Sequence, residues 1–235
     1  MNPVQLLPAL AAMLVLQATD PLADFHKARE LAAAGELQAA ASLLERSLEA
    51  FPGWGLPHLE LADILMRTDA DPARQGRALA EARRLEPQNP RAWALSAVWF
   101  ERRGEPEAAI DACRRALALR DDMVDTRVRL ALLLVAAERH LEAVPELQRV
   151  LEARPEERGV RANLADALEK VGDPEGAERE LKQLLRLSKG NLLFARRLAR
   201  FYERTGRPDE AARVLREAGE ERPERRMRPL PDSKH

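Results

Sequence analysis

Four histidines, one cysteine and the pair Asp69 and Asp71 are the residues of this chain whose types first suggest chemistry. His26, His58, His140 and His235 stand at no spacing that puts two on one helical face, so they form no metal-ligand set. Asp69 and Asp71 begin like a calcium loop, but Ala73 stands where the third ligand belongs and Arg74 where a glycine is required. Cys113 is alone, which excludes an intramolecular disulfide. It falls at an inward position of an apolar pattern, with nothing nearby in sequence to depress its pKa, and reads as a small hydrophobe. The glycines follow helical stretches or, like Gly53 and Gly55, flank Trp54 in a short turn, so there is no phosphate-cradling loop. Catalysis needs a nucleophile, a base and a charge stabiliser together, and the spacing supplies none. The sequence predicts a protein that is not an enzyme and carries no cofactor and no metal.

What organises the chain is a pattern of small and apolar residues. In Pro90 to Asp121, Trp93, Ala97 and Phe100 sit at spacings of four and three. Gly104 follows at a break, and Ala109, Cys113 and Ala116 resume the same spacings. That predicts a helix, a tight turn and a second helix, with Ala97 and Ala116 leaving no bulk where the two would cross. The alanine at position eight recurs as Ala28, Ala62, Ala97, Ala131, Ala165 and Ala199, separated by 34, 35, 34, 34 and 34 residues. A fixed period of this length predicts an all-α solenoid in which each helical hairpin buries its face only against its neighbours.

The pattern resembles the tetratricopeptide repeat family, whose repeats carry an aromatic at position four, Gly or Ala at eight, a large residue at eleven, Ala at twenty and twenty-seven and Pro near thirty-two. Six repeats are expected over residues 21–54, 55–89, 90–123, 124–157, 158–191 and 192–223, none of them matching the family pattern in full. The resemblance implies a right-handed superhelix whose first helices line a concave groove through positions two, five, nine and twelve. Carried over residue by residue, the groove would present Phe25, Arg29, Leu59, Asp63, Arg91, Ala94, Val98, Glu101, Val128, Leu132, Val135, Asp166, Arg196 and Arg200. Charge lies toward both ends and aliphatic side chains in the middle, where Val98, Val128, Leu132 and Val135 would form an apolar floor for a protein or peptide partner. Arg29 with Asp63, and Asp166 with Arg200, read equally well as ion pairs between adjacent repeats. Trp93 holds the family's structural aromatic position, whereas Trp99, at position ten, fits either the groove rim or a gap beside repeat four. The basic and amide residues with which chaperone-binding members grip a C-terminal carboxylate are matched only by Asn163 and Arg197, so that clamp is not expected.

Acidic and basic side chains cancel to a net charge of -1, which disfavours a nucleic-acid partner. RNA reading by related helical repeats would also sit poorly with the 34-residue period and the alanine at eight. Turns with proline at Pro72, Pro106, Pro174 and Pro208 predict second helices that start there, where no backbone donor is needed. The turn of repeat two, TDADPARQG, is one residue longer than the others. Residues 1–20 are apolar and uncharged from Leu6 to Leu16, too short to span a bilayer comfortably. They read as a secretory signal or weak membrane anchor, which would make the protein exported, periplasmic or membrane-associated; a helix capping the first repeat is the alternative. An exported start would suit an envelope assembly factor for a secretin or pilus. The last residues, 224–235, have two prolines and no apolar period and are expected to be disordered. Arg213, Arg216, Glu217 and Glu220 then give the final helix a polar outer face.

Overall fold

A helix apolar along one stripe needs a neighbour to cover it, and short turns supply that neighbour in sequence order. The computed structural model describes residues 20–220, and among them there are twelve helices and no strand. They are α1 (Pro21–Ala34), α2 (Leu37–Ala50), α3 (Gly55–Arg67), α4 (Pro72–Leu85), α5 (Pro90–Arg102), α6 (Pro106–Leu119), α7 (Val124–Ala136), α8 (His140–Ala153), α9 (Arg158–Lys170), α10 (Pro174–Leu187), α11 (Leu192–Arg204) and α12 (Pro208–Glu220). Successive pairs are the hairpins of the six repeats, so the fold is the all-α solenoid class that the period implies. The signal or anchor segment expected over residues 1–20 lies, but for Asp20, outside the described residues, as does the expected disordered tail, 224–235. No described helix is long and apolar enough to cross a membrane. The described residues fall into two compact units that divide between Thr126 and Arg127, inside α7.

Each helix starts and stops for a local reason. Asp20, Asp71, Asn89, Asp173 and Asn191 cap α1, α4, α5, α10 and α11 by accepting from backbone N–H groups of the first turn. Prolines 72, 106, 174 and 208 are the first residues of α4, α6, α10 and α12, as their turn positions predict. The residue fifteenth in every repeat takes the left-handed conformation that ends the first helix. It is glycine in four repeats, but Asp69 and Glu138 hold it at φ 50° and 58°, a strain of about 1 kcal/mol each.

In the first unit the core gathers Phe25, Ala28, Leu44, Ala62, Leu65 and Leu79, and in the second Leu147, Leu164, Leu184 and Leu198 are at most 2% exposed. The six alanines at position eight are likewise no more than 2% exposed, so every hairpin closes on a residue with no bulk to hold it apart. Repeat two breaks the position-twenty alanine rule with Gln75, 4% exposed, and the reason is its longer turn. The Gln75 amide donates to the carbonyls of Leu65 and Ala70 at 3.2 and 2.8 Å and so ties the end of α3 to the longer turn. That turn is shorter than TDADPARQG suggests, because α4 already begins at Pro72 and Gly76 lies inside it.

Gly76 answers the question of Trp99. A Cβ on Gly76 would come within 2.6 Å of the Trp99 ring, and the indole N–H donates to the Pro72 carbonyl at 3.3 Å. Trp99 therefore fills a space against α4 of the preceding repeat. Arg103 stacks over its face, 4.8 Å from the centroid.

Candidate functional site

The first helix of each hairpin carries the candidate groove residues, and their surroundings differ between the two units. In the first unit Phe25 and Leu59 are 5% and 2% exposed; they are core residues with no surface to offer a partner. The Phe25 ring lies 4.7 Å from that of Trp54, and the exposed Arg29 guanidinium stacks above Phe25 at 5.9 Å. Ala94 and Val98 are half-buried, Val98 packing on the core, while Glu101 is exposed.

Asp63 is not the partner of Arg29. Arg91, from the following repeat, donates to Glu60 at 2.6 and 3.2 Å and to Asp63 at 3.4 Å. Position two of one hairpin thus meets positions six and nine of the hairpin before, because successive first helices pack with an offset and a long arginine bridges it. Arg102 follows the same logic with an uncharged acceptor, donating to the Met66 carbonyl at 2.9 Å.

In the second unit Val128 and Val135 are half-buried, whereas Leu132 is 42% exposed amid Leu130, Leu133 and Leu134, all under 9%. Four aliphatic residues in sequence thus divide cleanly: three go inward and one faces out from position nine. The Asp166 carboxylate takes its ion pair from Arg197, not from Arg200, and Arg197 also donates to the Ala162 carbonyl at 3.1 Å. One turn further along α9, Glu169 is gripped by Arg204 with two bonds of 2.8 and 2.7 Å. Arg196 and Arg200 are exposed, and among the described residues no carboxylate pairs with either.

A set of residues that helical spacing alone did not reveal lies at position four. His58 approaches the Pro52 carbonyl with Nε2 at 3.0 Å, Trp93 donates its indole N–H to the Pro87 carbonyl at 3.0 Å, and Arg161 donates to the Pro155 carbonyl at 2.8 Å. Each reaches back six residues to the proline that closes the previous repeat. The family's aromatic position is thus a tie to the inter-repeat turn, which different side chains can make. In repeats four and five Arg127 and Arg161, 5% and 9% exposed, also pair with Glu146 and Glu180 on the second helix of the same hairpin. The clue in the sequence is an Arg and a Glu nineteen residues apart in both repeats.

The remaining chemistry is quiet. Burial pushes the Cys113 thiol up to about 12, so it stays protonated and packs as the sequence suggests. Among the described residues no group of three or more His, Cys, Asp or Glu side chains is arranged to hold a metal ion.

Two tetratricopeptide-repeat family models match the chain, one over residues 134–186 and 170–230 and the other over 75–124. No curated protein matches it in sequence. Among solved structures, YrrB, described as a TPR protein with an unusual peptide-binding site, superposes with a TM-score of 0.68 at 18% identity, over 78% of this chain and 94% of its own. A MamA protein gives 0.64 at 20% identity, over 72% and 92%. MamA from Desulfovibrio magneticus RS-1 gives 0.60 at 17% identity, over 74% and 97%. At such identities these likenesses speak to the fold. Matched repeats, six hairpins with buried alanine at position eight, and neighbours built the same way lead to one conclusion: the chain belongs to the tetratricopeptide repeat family.

Proposed function

We propose that the protein is a non-catalytic scaffold that binds an extended or helical segment of a protein partner on the groove face of its second unit. The observation that carries this reading is Leu132. An aliphatic side chain left 42% exposed beside three buried leucines, at a position the family turns toward its ligands, has no packing role that would require it there. Val128 and Val135, half-buried one turn to either side, extend the apolar strip along α7. Such a strip is an anchor of the kind that carries most of the energy of a small interface, with charged neighbours setting register. The peptide-binding site named for YrrB supports the same use of the fold.

Leu132→Arg places a charge on that strip without disturbing the core. Capture of partners from native extract with wild type and Leu132→Arg in parallel is the test. A protein lost only with the variant, whose helical circular dichroism matches wild type, is the expected result. Equal capture by both would remove the groove face of α7 as the binding surface.

A further inference from the structure

We propose that the segment held by the second unit is acidic, with carboxylates that pair with Arg196 and Arg200 next to an aliphatic anchor on Leu132. This rests on the groove reading above and adds the partner's charge to it.

The argument is a comparison among four arginines of one helix. Along α11, Arg197 and Arg204 are committed: they hold Asp166 and Glu169, the two carboxylates that α9 offers to this face. Arg196 and Arg200 stand one turn apart, exposed, and no acceptor among the described residues meets them. With Asp166 and Glu169 already neutralised, the uncompensated charge on this face of α11 is two guanidiniums against one carboxylate, the exposed Glu203. A pair of arginines at i and i+4 repels itself, and a helix keeps such a pair cheaply only in water or against anions.

Leu132, Asp166 and Arg200 are separated by 34 residues each and occupy position nine of consecutive hairpins in the same unit. The aliphatic anchor and the free arginines therefore lie on equivalent faces, with a neutralised ion pair at the position between them. Leu193, 69% exposed at the start of α11, adds a second apolar contact beside Arg196. The partner that fits has an aliphatic residue followed, on one side, by carboxylates. Guanidinium forks favour carboxylates that can accept two bonds. A nucleic acid fits less well, since its phosphates would run past Asp166, Glu169 and Glu203 in a chain whose net charge is -1.

The test uses the full chain and fluorescein-labelled peptides of about twelve residues, a usual span for a groove ligand. Each has a central leucine pair in a Gly-Ser background with a run of glutamates on one side, made in both orders. Glutamine and lysine versions are the controls. Exposed pairs of this kind shift affinity by about two- to fivefold each, so the glutamate peptide is expected to bind about fivefold or more tightly than its glutamine twin. That advantage should shrink between about 0.05 and about 0.5 M NaCl. It should vanish in the Arg196→Gln, Arg200→Gln double variant, which changes two exposed side chains and keeps its helical circular dichroism. Leu132→Arg should weaken every version. Equal binding of glutamate and glutamine peptides, both lost in Leu132→Arg, overturns the acidic partner and leaves the groove standing. Binding of none, or binding indifferent to Leu132→Arg, overturns both. An oligoribonucleotide that binds through Arg196 and Arg200 and outcompetes the glutamate peptide overturns the acidic segment in favour of nucleic acid.

Discussion

At the scale of single residues, the buried arginines at position four are the least expected feature of this chain. Arg161 pairs with Glu180 and donates to the Pro155 carbonyl, while its Nε finds no acceptor. A buried pair of this kind contributes little net stability but is costly to break, because the survivor keeps its desolvated charge. Glu180→Ala is therefore expected to lower the stability of the protein by about 2–4 kcal/mol, read from the urea midpoint. Arg161→Trp combined with Glu180→Ala should recover most of that loss. Trp93 shows that an indole at the same position makes the same tie to the preceding proline. A double variant as unstable as Glu180→Ala alone would mean that the ion pair itself, and not the filling of position four, holds this hairpin. Position eight was legible in the sequence because alanine is selected there by size, a property of one residue. Arg161 was not, since a charged side chain reads as a wet face until its partner nineteen residues away is known to lie opposite. The same reason hid the true partners of Asp63 and Asp166. Equivalent positions repeat every 34 residues, but the arginines that reach these carboxylates come from offset positions, Arg91 and Arg197.

At the scale of elements, Glu178 on α10 is where the last hairpin is tied to the one before. Its carboxylate accepts from Arg207 at 2.6 and 2.9 Å, from Tyr202 at 3.0 Å and pairs with Lys182 at 2.7 Å. The Arg207 hydrogen bonds, with those of Lys182 and Tyr202, pull Glu178 down from the ordinary 4.5 to about 2. A carboxylate depressed on folding stabilises the folded state above its unfolded pKa, and that contribution disappears as pH falls through the folded value. The difference in stability between wild type and Glu178→Gln should be full at neutral pH, about 1–3 kcal/mol for hydrogen bonds to a charged group. It should begin to shrink below about pH 4.5 and be gone near pH 2. Denaturant midpoints of both proteins across that range are the measurement; a difference that stays constant with pH would show that Glu178 contributes by packing alone. The starts of four second helices were legible because proline at the first helical position acts locally. The element-level surprise is Trp99, whose partner Gly76 lies in a different repeat. The sequence reads Gly76 as part of a turn because the stretch from Thr68 to Gly76 holds two aspartates, a proline and a glycine.

For the whole molecule, the consequence of repetition is that stability is a sum of hairpins and of the faces between neighbours. Each hairpin is closed by its own alanines and by ties of short reach, such as Ser47 to the Pro21 carbonyl at 2.9 Å and Arg46 to Asp24 within the first repeat. The candidate groove residues divide on this scaffold: position nine of repeat four leaves Leu132 exposed, while Phe25 and Leu59, at position five, are buried in the core, a difference that helical spacing alone does not reveal. Position five of the first two hairpins is filled by residues that the core took for itself. Leu44 is 1% exposed in the core of the first unit, so Leu44→Ala should cost about 2–5 kcal/mol. In a globular domain that loss would lower protection against amide exchange everywhere. Here it should fall mainly on α1 to α3, the helices nearest the cavity, and leave α10 to α12 close to wild type, since only nearest-neighbour terms connect them. Residue-resolved hydrogen exchange under native conditions distinguishes the two. Loss spread evenly to α12 would mean that the chain unfolds as one cooperative body, and a partner bound at Leu132 would then stabilise the first hairpins as strongly as the last.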